Sequence, residues 1–277
     1  MRIVLHSKYG QLGNRIILIT HFIKYALKHN VKLEICNFQD YENDFDNAGL
    51  NSLSNKGIHF KELSFQDKIF RFLGYRFPNL VKNRVVIWDI RSSFDKKDRT
   101  CIIEDNIPNA QLIFPDGWLF RTAYLTGDDT TWVKALFRPN KQVSENLTKF
   151  EGYFKNNSVV GLHIRRGDYK TFLGGKYYFE LSYYSKLIEE IKNEFPQSKI
   201  IICSDEKLPE EFKQIEGVKV SESDFLTDLY LLSNCRYIIG PPSTFSLLAG
   251  YIGDSNLMHV EGGLEIDKLK FKKVDKI

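Results

Sequence analysis

Three short segments hold side chains whose types and spacing suit the binding of a nucleotide, two of them fit for its phosphates and the third for its base. In Gly161–Tyr169 (GLHIRRGDY), an apolar run ends at His163 and passes into Arg165, Arg166, a glycine turn, Asp168 and Tyr169. Arginine suits phosphate because its planar fork donates two parallel charge-assisted hydrogen bonds and keeps its charge at any physiological pH. An ordinary ion pair between Arg166 and Asp168 is the plainer alternative. In Gly240–Ser246 (GPPSTFS), Ser243 and Thr244 follow two prolines and open a helix, with Phe245 next to them. Free N–H groups and hydroxyls at a helix start can hold a phosphate, and Ser243 can equally cap its own helix. In Cys203–Glu206 (CSDE), Asp205 follows an apolar run, where its carboxylate could accept paired N–H donors from a purine edge or cap the residues that follow.

Two further segments carry weaker signals. Tyr9–Asn14 (YGQLGN) sets Gly10, Gly13 and Asn14 at the start of an apolar-periodic stretch, where a glycine loop permits close approach of a phosphate or sugar. It has neither the dinucleotide fingerprint nor a Walker lysine, which disfavours nicotinamide enzymes and P-loop NTPases. Asp40, Glu42, Asp44 and Asp46 form an acidic run in a polar stretch. Its Asp44-Phe45-Asp46 spacing is one that metal-dependent sugar transferases use, although a solvated turn explains it more simply. No His-x-His or His-Glu-x-x-His pair occurs and no two cysteines are closely spaced, so no metal site is expected. The triplet Arg166-Gly167-Asp168 matches an integrin-adhesion tripeptide, a coincidence common at three letters.

The three strong segments each follow a strand-like run, and the periodicity around them predicts the scaffold. Residues 2–7, a helix over 15–29 and a second strand at 31–36 open a parallel βαβ unit. Residues 37–64 show no clear period. A helix at 65–75, strands at 85–90 and 111–115, and helices at 128–137 and 143–154 follow. The second half alternates strands at 158–164, 199–204, 218–221, 236–240 and 256–260 with helices at 183–195, 209–215, 225–233 and 243–251. Nearly continuous apolar strands separated by helices predict an α/β protein made of two Rossmann-like, doubly wound parallel-sheet domains facing a cleft, whose ligands bind at the carboxyl ends of the strands. The boundary is placed at Asn156-Asn157, giving domains 1–156 and 157–277.

With 39 Lys+Arg against 35 Asp+Glu, the net charge of +4 is too mild for nucleic acid to be the main partner. No leader-like segment or run of about 20 apolar residues is visible, so a cytoplasmic location is the expectation. Lys268, Lys270, Lys272, Lys273 and Lys276 could give the tail a weak contact with a membrane surface. The four cysteines are expected to be reduced and mostly buried.

In these motifs and their order, the chain resembles the GDP-fucose-dependent α-1,2-fucosyltransferases, relatives of the α-1,6- and protein O-fucosyltransferases. The resemblance rests on GQLGNR, HIRRGDY, YYSKLIEEI, CSDE and DLYLLSNCRYIIGPPSTFSLLAGYI (228–252), and spans the N-terminal loop and most of 159–252. It implies a GT-B architecture and inverting, metal-independent transfer of fucose from GDP-fucose to a glycan hydroxyl, with no cofactor. It further implies that Arg165 grips the β-phosphate and that Ser243, Thr244 and Phe245 line the diphosphate and nucleoside. His163 and Asp205 would bind ribose and guanine, while Gly10, Gly13 and Asn14 would close over the phosphate. Two residues depart from the family pattern: Arg15 stands where glutamine is usual, and Leu247-Leu248 where paired tryptophans often occur. For the proton of the acceptor hydroxyl, Asp168 is the nearest candidate base, with Glu42 and Asp44 as the alternative and an orienting role for Asp168 equally open. A metal-dependent transferase using Asp44 and Asp46, and a non-catalytic nucleotide-binding or adhesion protein, are the rival readings.

Overall fold

A computed structural model describes residues 1–92 and 100–277. Packing divides the chain into two units, Met1–Asn140 and Lys141–Ile277. The division falls sixteen residues before Asn157 because the helix Lys141–Thr148 packs within the second unit. Its Asn146 donates to Asp224 at 3.2 Å, and the Lys219 ammonium lies 3.5 Å from the Lys149 carbonyl.

The first unit is built on five parallel strands: β1 (Arg2–Leu5), β2 (Lys32–Ile35), β3 (Ile58–Phe60), β4 (Val85–Asp89) and β5 (Leu112–Asp116). Their order is β3-β2-β1-β5-β4, with Ile3 opposite both Leu33 and Ile113. Helix α1 (Leu12–His29) is apolar nearly all round and is buried along most of its length, as such a helix must be. It begins three residues before the expected start, so Gly13 and Asn14 belong to its first turn. The second helix, α2 (Phe65–Arg76), follows the expected periodicity and is capped by Ser64, whose hydroxyl accepts the Asp67 N–H at 3.1 Å. Strand β3 lies within 37–64, where three residues are too few to display a period.

The second unit begins with α3 (Lys141–Thr148) and alternates thereafter: β6 (Ser158–Ile164), α4 (Leu181–Glu194), β7 (Ser198–Ser204), β8 (Val218–Val220), α5 (Phe225–Ser233), β9 (Tyr237–Gly240), α6 (Thr244–Gly253) and β10 (Asn256–His259). The sheet runs β8-β7-β6-β9-β10, closed at its edge by the short antiparallel β11 (Lys272–Lys273). Val160, Leu162, Ile164, Ile200, Ile202 and Ile239 from the strands pack with Leu187, Ile188 and Ile191 of α4 in one buried core. Chain order reverses between the neighbours β6 and β9. In an open parallel sheet that reversal opens a crevice at the carboxyl ends of the two strands. Gly240 permits their close approach there, since a Cβ at that position would lie 2.8 Å from the His163 carbonyl oxygen and 2.9 Å from its Cβ. Among the described residues, no helix is long and apolar enough to cross a membrane, and the four cysteines are free and buried.

Candidate functional site

The three strong motifs converge at the carboxyl edge of the second unit's sheet. His163, the penultimate residue of β6, is buried, and its ring lies 5.2 Å from that of Phe245 on α6. Burial, reinforced by the charge of Arg165, pushes its pKa down to about 3. It is therefore a neutral packing group at physiological pH, with Nδ1 buried and without a hydrogen-bond partner.

Beyond β6 the two arginines take different neighbours. Arg166 reaches Tyr178, whose hydroxyl accepts from the guanidinium, and pairs with Glu206 at 3.1 Å and Glu180 at 3.6 Å. This set replaces the Arg166–Asp168 pair anticipated as the plain alternative. Asp168 instead grips Arg165, whose Nε and Nη2 each donate to one Asp168 oxygen at 2.9 Å. The Arg165 side chain is only 13% exposed, while Asp168 is 52% exposed. Burial alone would lower the guanidinium pKa, but the Asp168 pairing and the Asp205 charge, 3.7 Å from Nε, raise it above the ordinary value.

Both Asp205 carboxylate oxygens are engaged by the neighbouring turn. They accept the backbone N–H groups of Arg166 at 2.9 Å and Gly167 at 3.1 Å, fixing the turn that carries Arg165. A Cβ on Gly167 would lie 3.0 Å from the Asp205 carboxylate, which keeps this cradle tight. The Tyr169 hydroxyl donates to the Pro242 carbonyl, and its ring lies 5.5 Å from the Arg165 guanidinium. That contact joins the turn after β6 to the turn after β9. Ser243 caps α6 by accepting the Phe245 N–H at 3.1 Å, and Thr244 is the first helical residue. His163, Arg165, Asp168, Asp205, Ser243, Thr244 and Phe245 thus form one assembly.

Residues 140–261 match the model of the family described as glycosyl transferase family 11. On that match, residues 140–261 are similar to glycosyl transferase family 11. The span holds every residue of the assembly, and the resemblance read from the motifs names the same chemistry. No curated protein matches the chain in sequence. Among solved structures, it is similar to Arabidopsis thaliana FUT1, a mutant in complex with GDP, with a TM-score of 0.64 at 13% identity over 98% of this chain and 73% of that one. It is also similar to the fucosyltransferase NodZ from Bradyrhizobium (TM-score 0.57, 17% identity, 94% of this chain and 96% of that one). POFUT1 in complex with GDP-fucose gives a TM-score of 0.52 at 12% identity, over 92% of this chain and 95% of that one. At these identities the likeness establishes the fold, which is GT-B-like, with two Rossmann-like parallel-sheet units in one chain.

Gly10, Gly13 and Asn14 lie in the first unit, outside the matched span. Gly10 takes a left-handed conformation (φ 63°), and the Asn14 side chain folds back into the space its Cβ would fill. Asn14 Oδ1 is buried without a hydrogen-bond partner. Arg15, the departure from the family's usual glutamine, braces the loop after β2: Nη1 donates to the Asn37 carbonyl at 2.9 Å and to Asp40 at 2.7 Å. Leu248, in the place of one tryptophan, is fully buried.

Within the acidic run, Asp46 caps a short helix through the Gly49 N–H at 3.1 Å and pairs with Arg138, and Asp40 is shared by Lys8 and Arg15. Among the described residues, no group of three or more His, Cys, Asp or Glu could hold a metal ion. Glu42 differs from its neighbours: its Oε1 is buried without a partner, and burial, with the Glu62 charge, raises its pKa.

Two groups escaped the sequence reading. Asp228 is buried within the apolar α5 and accepts from Ser221; burial pushes its pKa up to about 7. At the carboxyl end of β5, Asp116 accepts from Ser7 at 3.1 Å, Tyr9 at 2.5 Å and Tyr75 at 2.7 Å. Burial would raise the Asp116 pKa, but these three hydroxyls hold it below the usual carboxylate value. Its position directly before a glycine turn at a strand's carboxyl end was the available signal; the three partners, from distant segments, were not visible.

Proposed function

We propose that this glycosyltransferase moves L-fucose from GDP-fucose to a glycan hydroxyl, the 2-OH of a galactoside, with inversion and without a metal. The observation that carries the reading is the placement of Arg165: a partly buried, permanently charged fork just past a strand end beside the topological switch point, on a turn clamped by Asp205 and Tyr169. The named relatives in complex with GDP or GDP-fucose support the choice of donor.

As the anomeric carbon–oxygen bond breaks, its electron pair passes to the β-phosphate and the acceptor oxygen bonds to carbon. Fixed donors that strengthen with the growing phosphate charge lower the barrier. Arg165 and the start of α6 at Ser243 and Thr244 supply such donors. An incoming diphosphate replaces the half-exposed Asp168 on Arg165, exchanging one bidentate acceptor for another. Asp168 therefore acts as a positioning group that holds Arg165 before the donor arrives. The acceptor proton is assigned to Glu42, whose raised pKa suits a general base. The acceptor itself is assigned to the first unit, where Asp116 already accepts three hydroxyls that saccharide hydroxyls can replace.

Thermal stabilisation by GDP-, UDP-, ADP- and CMP-linked sugars, with chelator present, tests the donor. Selective stabilisation by GDP-fucose is expected, and selective stabilisation by a UDP-sugar overturns the assignment. Transfer that needs a divalent cation overturns the metal-free reading.

A further inference from the structure

Helix α2 presents an outward face rich in large apolar side chains. Phe65, Ile69 and Phe72, at i, i+4 and i+7, are all exposed, the exposed Phe77 ring lies 6.5 Å from that of Phe72, and exposed Leu80 sits in the turn that follows. Phe65, Phe72 and Leu80 are 76%, 60% and 77% exposed. The inward face is set by Gly74, whose absent side chain lets the helix approach Ile87 and Val85 of β4, so the outward phenylalanines have no core to enter. Monomeric soluble proteins seldom leave so many large apolar side chains together in water.

The charge around this face has one sign. Lys68, Arg71, Arg76, Lys82 and Arg84 lie between residues 65 and 84, where Asp67 is the sole acid, and Asp67 is buried and paired with Arg2. Aromatic anchors on one face with cations beside them are the composition of a helix that lies in the interface of a bilayer. Anionic headgroups complement the cations, whereas a neutral protein groove would leave them without partners.

We propose that α2 with residues 77–84 docks this protein on the surface of an anionic lipid bilayer, with Phe65, Phe72 and Leu80 entering the headgroup boundary. This assignment differs from the expected contact through the C-terminal lysines. There Lys268, Lys270 and Lys273 pair with Glu194, Glu265 and Asp254, which offsets much of the tail's charge. The proposal is independent of the donor and acceptor assignments.

Co-sedimentation of the whole protein with vesicles of phosphatidylcholine alone, or with 30% phosphatidylglycerol as an order-of-magnitude anionic content for a polybasic surface, tests it. Binding should be at least about tenfold stronger to the anionic vesicles and weaken on raising the salt. The Phe65→Ser/Phe72→Ser/Leu80→Ser variant should lose about tenfold or more in vesicle binding, while keeping the wild-type circular dichroism and melting temperature. The milder Lys68→Gln/Arg76→Gln/Lys82→Gln variant should lose the preference for anionic lipid without touching the apolar anchors. Failure of the wild type to bind, or undiminished binding in the serine variant, overturns the proposal. So does a concentration-dependent dimer that the serine variant abolishes without any vesicle binding, which would give the face to a second copy of the chain.

Discussion

Replacing Asp168 by asparagine separates the two roles a carboxylate could have beside Arg165. The side chain keeps its size, but the charge that Arg165 Nε and Nη2 contact at 2.9 Å is lost. Since Asp168 is 52% exposed, solvent screens the pair, and its strength is on the order of 1 kcal/mol. A diphosphate that has to displace Asp168 binds against that amount, so its removal should tighten GDP binding by roughly fivefold at low salt, and less as ionic strength rises. Arg165 should stay in place because Asp205 still clamps its turn through two backbone N–H groups. Isothermal titration with GDP and steady-state transfer kinetics give the two readouts. Tighter GDP with a modest loss of kcat fits a holding role. A fall in kcat of about a hundredfold or more, with GDP affinity unchanged, would refute the reasoning and make Asp168 itself the proton acceptor.

Arg165→Ala should lower kcat by on the order of a hundredfold or more if the fork stabilises leaving-group charge, and near-normal turnover rejects that role. Asp116→Asn should raise the acceptor KM severalfold and leave GDP affinity unaltered; a weakened donor affinity would point to a general structural role for Asp116. Gly240→Ala should destabilise the fold by about 1–3 kcal/mol, because the added methyl meets the His163 backbone at 2.8 Å; a melting temperature equal to wild type contradicts the close approach. For Asp228, burial lifts the folded pKa to about 7 while the unfolded chain releases the proton near 4. Its stabilising contribution is therefore complete below about pH 4 and is lost as pH rises through 7. Asp228→Asn, permanently neutral, should melt higher than wild type at pH 8, with the gain shrinking toward pH 5; a gain independent of pH excludes titration of Asp228 as the cause.

The second unit was legible because long apolar strands, each followed by a helix, leave no competing assignment. Phe225–Ser233 matches its expected bounds and Ser158–Ile164 is the expected strand. Strand-end position also singled out Arg165 and Ser243. What sequence spacing does not reveal is which side chain receives which partner. Asp205 was read as an acceptor for a purine edge or as a cap, and the partners it finds are the backbone N–H groups of Arg166 and Gly167. Arg166 looked like the partner of Asp168, but the chain turns at Gly167 so that Asp168 folds back onto Arg165. The Asp116 centre draws on residues 7, 9, 75 and 116, separations over which no local period exists. Spacing does not distinguish members of the acidic run, whereas burial and the Glu62 charge set Glu42 apart from Asp40 and Asp46, which have cationic partners.

The Tyr169 hydroxyl on the Pro242 carbonyl means that the loops after β6 and β9 are not separate parts. A shift in either is transmitted to the other through a single rigid ring, so substitutions in the two loops should be epistatic, their combined cost differing from the sum of the separate costs. Sequence drift in one loop is accordingly constrained by the state of the other, and an engineer who wishes to retune this edge of the sheet has to redesign both together.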